Sequence, residues 1–222
     1  MCCLVVTVCN GCENKKATSK NPKEEFQRKY TVWSDYLASH PEFKVMSEAT
    51  TQYTCPQFKE IVKLGLPALP FIVQKIEEAN DQYLWMAIDK IAKVKIYAKY
   101  DEVKKETVFP DFPNVKENVY VYWWKEGHKS TQSFLEQRYA EWKELKKQQK
   151  EKEASAEYKR ILDLGIAALP YMVEKVKKGD TELIEAISEL TNDQLKKDAD
   201  KEDVEKWWNQ NKGSWIIPFP KS

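Results

Sequence analysis

Apolar residues recur at spacings of three and four along the body of the chain. Residues with these spacings share one face of an α-helix, which has 3.6 residues per turn. The pattern predicts three successive helices, the second beginning near residue 70 and the third after residue 81. It is carried by Ile61, Leu64, Ile72, Ile76, Leu84, Ile88 and Ile91.

Glycine, proline and aspartate mark the boundaries of these predicted helices. A glycine ends a helix where the backbone needs a positive φ, and a proline in the first helical turn loses no hydrogen bond. An aspartate before a helix can accept hydrogen bonds from its first free N–H groups. We therefore expect helices to end at Gly65 and Gly165 and to start at Pro70 and Pro170. Asp81 and Asp180 are the expected N-caps.

The same boundary residues occur twice because the sequence carries an apparent internal duplication. Residues 58–76 (FKEIVKLGLPALPFIVQKI) align with residues 158–176 (YKRILDLGIAALPYMVEKV), and nine of the nineteen positions are identical. Flanking tyrosine and tryptophan residues agree more loosely. A repeat of this kind predicts an all-α fold made of two copies of one helical unit. The expected units are residues 23–127 and 128–213, followed by a C-terminal tail at 214–222.

The second copy resembles the HEAT-like repeats of bacterial proteins. The run GIAALPYMVEKVKKGDTELIEAISELT is similar to that family's G-x-x-A-L-P pattern with its later G-D, and the ending WWNQNK at residues 207–212 is similar to W-W-x-x-N-K. The resemblance implies an α-solenoid-like scaffold that binds other proteins, and in rare members a basic groove for DNA. Each unit is longer than a HEAT repeat, so a pseudo-twofold helical bundle is an alternative arrangement.

The N-terminus resembles the end of a bacterial lipoprotein signal peptide. An apolar run, CCLVVTV, is followed by Gly11 and Cys12, and a polar segment comes next. The resemblance implies a signal at residues 1–11, a lipid on Cys12, a flexible tether at 12–22 and attachment to a membrane of the bacterial cell envelope. The alternative is a buried N-terminal segment of a cytosolic protein.

Composition narrows the function classes. The 222 residues carry 36 Lys and Arg against 35 Asp and Glu, so the net charge of +1 offers little attraction to nucleic acid. No apolar run reaches the ~20 residues that span a bilayer. Two histidines, expected in solvated loops, and the lone body cysteine Cys55 have no partners at catalytic or metal-ligand spacing. We expect no enzyme, no metal and no cofactor.

Exposed aromatic residues are the remaining candidates for a binding site. Adjacent tryptophans on a helix point about 100° apart, so one of each of the pairs 123/124 and 207/208 is expected at the surface. A proline-containing loop at 101–113 adds two phenylalanines. The candidate partner-binding residues are Trp85, Phe109, Phe112, Trp124 and Trp208.

Three functions follow from these patterns. The first is a lipid-anchored, non-enzymatic scaffold that binds a protein or peptide. The second is a glycan- or peptidoglycan-binding lipoprotein that uses the tryptophans. The third is an enzyme such as a HEAT-like DNA glycosylase, which the near-neutral charge disfavours.

Overall fold

The computed structural model describes residues 21–44, 50–79, 81 and 83–220. Within these residues the chain is mostly helical, which confirms the all-α fold class. The helices are α1 (Pro22–Ala38), α2 (Thr50–Thr54), α3 (Pro56–Val62), α4 (Leu69–Ala79), α5 (Trp85–Ala92), α6 (Val119–Lys125), α7 (Thr131–Lys147), α8 (Glu151–Leu162), α9 (Leu169–Lys177), α10 (Ile184–Leu190) and α11 (Lys201–Asn211).

The helices form because their apolar residues line one face. In α4 the buried residues are Leu69, Ile72, Val73 and Ile76, at the spacings of three and four read from the sequence. Burying each such side chain contributes roughly 1.5–3 kcal/mol. The buried faces of helices from both halves of the chain meet in one apolar cluster.

The two glycine turns have the same backbone shape. Gly65 and Gly165 each have a φ of 67°, three residues after α3 and α8 end. A side chain resists this left-handed region, so glycine lets the chain reverse here. A short 3-10 turn follows each helix end, and Pro70 and Pro170 are the second residues of α4 and α9.

The stretch at residues 141–160 mixes Glu and Lys at short range, a pattern that predicts a solvent-facing helix, but the structure splits it between α7 and α8. The break falls at residues 148–150, where Gln149 has a φ of 57°. The two helices pack against each other, and Arg138 Nη1 of α7 donates a 2.7 Å hydrogen bond to the Arg160 carbonyl of α8. The expectation of one helix was wrong because local charge pairs do not reveal a reversal.

The segment expected as a proline-broken loop begins with a β-hairpin. Strands β1 (Lys99–Asp101) and β2 (Glu106–Val108) pair antiparallel, with Tyr100 opposite Thr107. Asp101 Oδ1 accepts hydrogen bonds from the backbone N–H groups of residues 103 and 104 at 2.9 and 3.0 Å. This local turn chemistry holds the hairpin, whose tip is exposed.

The C-terminal tail packs across the molecule. Trp215 lies beside Trp207 of α11, with 6.3 Å between ring centroids. Phe219 continues to α6, where its ring centroid lies 5.4 Å from that of Trp123 and 5.2 Å from that of Trp124. The tail therefore covers part of the first half as well as the last helix. Among the described helices, none combines the length and the apolar character required to cross a membrane.

Candidate functional site

Two tyrosine–aspartate pairs each join a long helix to a turn. One joins α1 to the turn after α4, and the other joins α7 to the turn after α9. Tyr30 Oη donates to Asp81 Oδ2, and Tyr139 Oη donates to Asp180 Oδ1, each across 3.0 Å. Burial, with the nearby Asp81 carboxylate, raises the pKa of Tyr30 to about 12. Burial and the hydrogen bond to Asp180 also raise the pKa of Tyr139. Both tyrosines therefore stay protonated donors, which suits a structural role.

The two aspartates differ in what else they bind. Asp81 Oδ1 accepts hydrogen bonds from the backbone N–H groups of Tyr83 and Leu84, at 3.0 and 3.1 Å, just before α5. Asp180 precedes a 3-10 turn, and its side chain makes no capping hydrogen bond. The predicted N-cap role is therefore wrong for Asp180, whose carboxylate accepts the Tyr139 hydroxyl instead.

The segment after α5 lies on the end of α8. Lys95 N donates a 2.9 Å hydrogen bond to the carbonyl oxygen of Asp163, and Tyr97 Oη donates to the Asp163 carboxylate. At Gly165 an added Cβ would overlap the carbonyl oxygen of Ala92. The two halves of the chain thus meet through close contact between backbones.

A nearly buried arginine completes this junction. Arg138 Nη2 lies 2.7 Å from Asp111 Oδ2, and the arginine side chain is only 5% exposed. Asp111 belongs to the loop after the hairpin. The ion pair therefore holds that loop against α7, and the cost of desolvating its charges is offset by close pairing and by the hydrogen bond to Arg160.

A shallow groove lies between α1 and α3 in the first half. It has a volume of about 240 Å³ and is lined by Arg28, Lys29, Val32, Pro56, Gln57 and Glu60. Val32 is 50% exposed, unusual for an apolar side chain in this structure. The Gln57 side-chain oxygen is buried but has no hydrogen-bond partner among the described residues. The groove therefore offers an apolar contact, whereas the Gln57 oxygen lies beneath its surface.

Two lysines set the electrostatics of the groove. Glu60 accepts from Lys63 Nζ at 2.5 Å and from Lys29 Nζ at 3.0 Å. These hydrogen bonds lower the pKa of Glu60 to about 2, so the carboxylate stays ionised at neutral pH. Lys29 Nζ also donates to the Glu60 carbonyl at 3.0 Å. Arg28 in the same groove pairs with Glu25 at 2.6 Å, so two carboxylates partly neutralise the three cations at this edge.

The predicted aromatic binding residues do not form an exposed surface. Trp124 and Trp208 are only 4% and 7% exposed, so the expectation that they lie at the surface is wrong. Trp85 is partly buried and stacks on Tyr120, with 4.8 Å between ring centroids. Phe109 and Phe112 are partly buried against the core, and Phe112 packs edge-on against Phe134 of α7.

The tail explains why both Trp123 and Trp124 are buried. Phe219 contacts both rings from the far end of the chain, and no local pattern reveals that contact. In the second pair, Trp208 is buried and Trp207 is the partly exposed member. His128, expected in a solvated loop, instead stacks on Phe219 with ring centroids 3.7 Å apart.

The cysteines offer no assembled reactive site within the described chain. Cys12, the predicted lipidation residue, lies outside the described residues. Cys55 is buried before Pro56, the first residue of α3, and its Sγ lies 3.3 Å from the Gln52 carbonyl oxygen. The described residues contain no cluster of three or more His, Cys, Asp or Glu suited to a metal ion.

Sequence reasoning overlooked the residues that line the groove and the junction. Their signal was present in the alignment of the two halves, since Lys63 aligns with Asp163 and Glu60 with Arg160. These charge reversals stand among otherwise conservative positions. They mark surfaces that have different surroundings in the two halves.

Comparison with known proteins adds no relative. The chain matches none of the protein-family models, none of the curated proteins and none of the solved structures against which it was compared.

Proposed function

We propose that this protein is a non-enzymatic scaffold built from a duplicated HEAT-like helical unit that binds a protein or peptide partner. We further propose that a lipid on Cys12 holds it at a membrane of the bacterial cell envelope. The single observation that carries the scaffold proposal is the recurrence of the same internal contacts in both halves.

The recurrent contacts involve residues that align in the sequence. The hydroxyl–carboxylate pairs at Tyr30 and Tyr139 have the same length, and the two glycines share one φ value. A lysine lies over each tyrosine ring, at 5.0 Å from the centroid for Lys75 and 5.1 Å for Lys175. Such agreement in side-chain detail supports one unit used twice.

The groove between α1 and α3 supports partner binding. It combines the exposed apolar surface of Val32 with charged side chains. Protein-binding surfaces characteristically join an apolar contact to a polar rim. Glycan binding through Trp85, Trp124 and Trp208 is not favoured, because two of these rings are buried and the third is stacked.

The scaffold proposal can be tested by site-specific photo-crosslinking in a bacterial host. A photoreactive amino acid is placed at Val32 in the groove or at Lys152, an exposed position on α8. We expect one discrete protein adduct from position 32 and none from position 152. The same adduct from both positions, or none from position 32, would reject the groove as the partner site.

The anchoring proposal has a separate test. Protein extracted from membranes of the host is analysed by intact mass, with Cys12→Ser as the control. We expect a mature chain that begins at Cys12 and carries acyl mass, and a soluble, unmodified Cys12→Ser variant. A soluble wild-type chain with an unmodified Cys12 would reject the anchor while leaving the scaffold proposal intact.

A further inference from the structure

We propose that the α1–α3 face of the first half binds an extended acidic peptide segment of a partner protein. The peptide would lie there as residues 92–97 lie on the second half. This inference rests on the proposed scaffold function and specifies the chemistry of the partner.

The matching face of the second half is already covered by an extended segment of the chain itself. Lys95 N donates to the Asp163 carbonyl, and the Ala92 carbonyl lies against the Gly165 backbone. The ring of Tyr97 lies 6.0 Å from the Arg160 guanidinium, and its hydroxyl donates to the Asp163 carboxylate. This face therefore receives a main-chain donor and one specific side chain.

The first half has the same glycine φ at this face, and none of the described residues covers it in the same way. Gly65 has the same φ as Gly165, but the nearest atom to its added Cβ is Pro67 Cδ at 3.9 Å. Among the described backbone groups outside regular elements, no N–H donates to the Lys63 carbonyl, the counterpart of the Asp163 carbonyl. A close backbone approach is possible at both glycines, and among the described residues it occurs at Gly165 alone.

The charge at the matching position determines what the peptide must carry. Asp163 accepts a hydrogen bond from the Tyr97 hydroxyl, whereas its counterpart Lys63 can only donate; Lys63 donates to Glu60, but its side chain is 69% exposed. A glutamate or aspartate at the place of Tyr97 would therefore complement Lys63. Arg28 and Lys29 line the same groove and pair with Glu25 and Glu60, so three cations with Lys63 face two carboxylates and leave a net positive charge.

Two features of the groove fit an extended main chain. The Lys63 carbonyl, which no described backbone N–H outside regular elements bonds, can accept a peptide N–H as the Asp163 carbonyl accepts Lys95 N. Val32 offers half of its surface to an apolar side chain. From Gln57 to Gly65 the chain advances roughly 12 Å, a distance that about four extended residues span. An octapeptide can therefore reach from the glycine turn into the groove.

The test uses three labelled octapeptides whose sequences are derived from residues 92–99. Their sequence is Ala-Ser-Val-Ser-Ile-Xaa-Ala-Ser, with the lysines replaced by serine and with Glu, Gln or Lys at the place of Tyr97. Binding to the full chain is followed by fluorescence anisotropy. We expect the Glu peptide to bind roughly two- to five-fold more tightly than the Gln peptide, as one exposed ion pair allows, and the Lys peptide to bind most weakly.

Two variants with the same charge change locate the binding. Lys63 and Lys152 are both exposed, so Lys63→Glu and Lys152→Glu are expected to fold, and thermal melting checks this. We expect Lys63→Glu to reverse the preference between the Glu and Lys peptides, and Lys152→Glu to leave it unchanged.

Two results would overturn the inference. One is the absence of binding by any peptide up to about 1 mM, the limit of weak affinity. The other is a preference for the Glu peptide that survives Lys63→Glu. Either result leaves the crosslinking test of the scaffold proposal standing, because that test does not depend on the peptide sequence.

Discussion

Alanine substitutions at Gly65 and Gly165 form a matched pair that isolates the contact between the two halves. Both glycines have a φ of 67°, so either substitution forces a side chain into the same unfavourable region. Holding a residue there costs about 1–3 kcal/mol. Only the second substitution also meets another part of the chain.

The additional cost at Gly165 follows from its surroundings. A Cβ there would overlap the Ala92 carbonyl oxygen and lie 2.8 Å from the carbonyl carbon of Lys93. These are backbone atoms, so no flexible side chain can yield. Overpacking of this kind costs about 1–3 kcal/mol. At Gly65 the added methyl meets only ordinary van der Waals contact.

We therefore expect Gly165→Ala to be less stable than Gly65→Ala by about 2 kcal/mol, the middle of that overpacking range. For a chain of this size the difference corresponds to about 4–8 °C in melting temperature. Thermal and urea unfolding followed by far-UV circular dichroism measures both values. Equal destabilisation by the two substitutions would refute the close approach of Ala92 to Gly165.

Two further predictions concern the junction and the tail. Arg138→Met should destabilise the fold by about 3 kcal/mol in urea unfolding, because it leaves the partly buried Asp111 carboxylate unpaired. Lys129→Ala breaks only an exposed ion pair and should cost less than about 1 kcal/mol. Equal losses of unfolding free energy in the two variants would contradict the burial of the Arg138–Asp111 pair. Burial lowers the pKa of His128, which stacks on Phe219, so the unfolded chain takes up a proton at higher pH than the folded chain. The unfolding free energy should therefore fall as the pH drops below about 6.5. His128→Asn should reduce the slope of unfolding free energy against pH, and an unchanged slope would refute the role of His128 in it.

The glycine turns and the helix faces could be read from the sequence, because both are local. A periodic apolar face such as that of α4 depends only on spacing along the helix. The positive φ of Gly65 likewise follows from glycine between two helical patterns. The groove could not be identified in this way, because its residues come from α1 and α3, which lie far apart in the sequence.

Charge-rich and aromatic segments were harder to interpret. Mixed charges are compatible with one helix or two, so the reversal at Gln149 had no distinctive signal. Prolines at 110 and 113 suggested a loop and concealed the hairpin before them. Helical geometry predicts different directions for Trp123 and Trp124, so one of the two rings was expected at the surface. The C-terminal tail covers both rings through Phe219.

The sequence by itself determined the all-α class, the course of the helices around the two glycines and the apolar residues that form the core. These properties arise from spacing and backbone preference within a few residues. The tertiary structure alone decided that Phe219 buries Trp124, that Asp180 accepts a tyrosine hydroxyl, and that residues 92–93 lie against Gly165, an approach that no described residue makes to Gly65. Each of these depends on a partner far away in the chain. Local preferences constrain a residue's own backbone, but only packing decides which distant surface meets it.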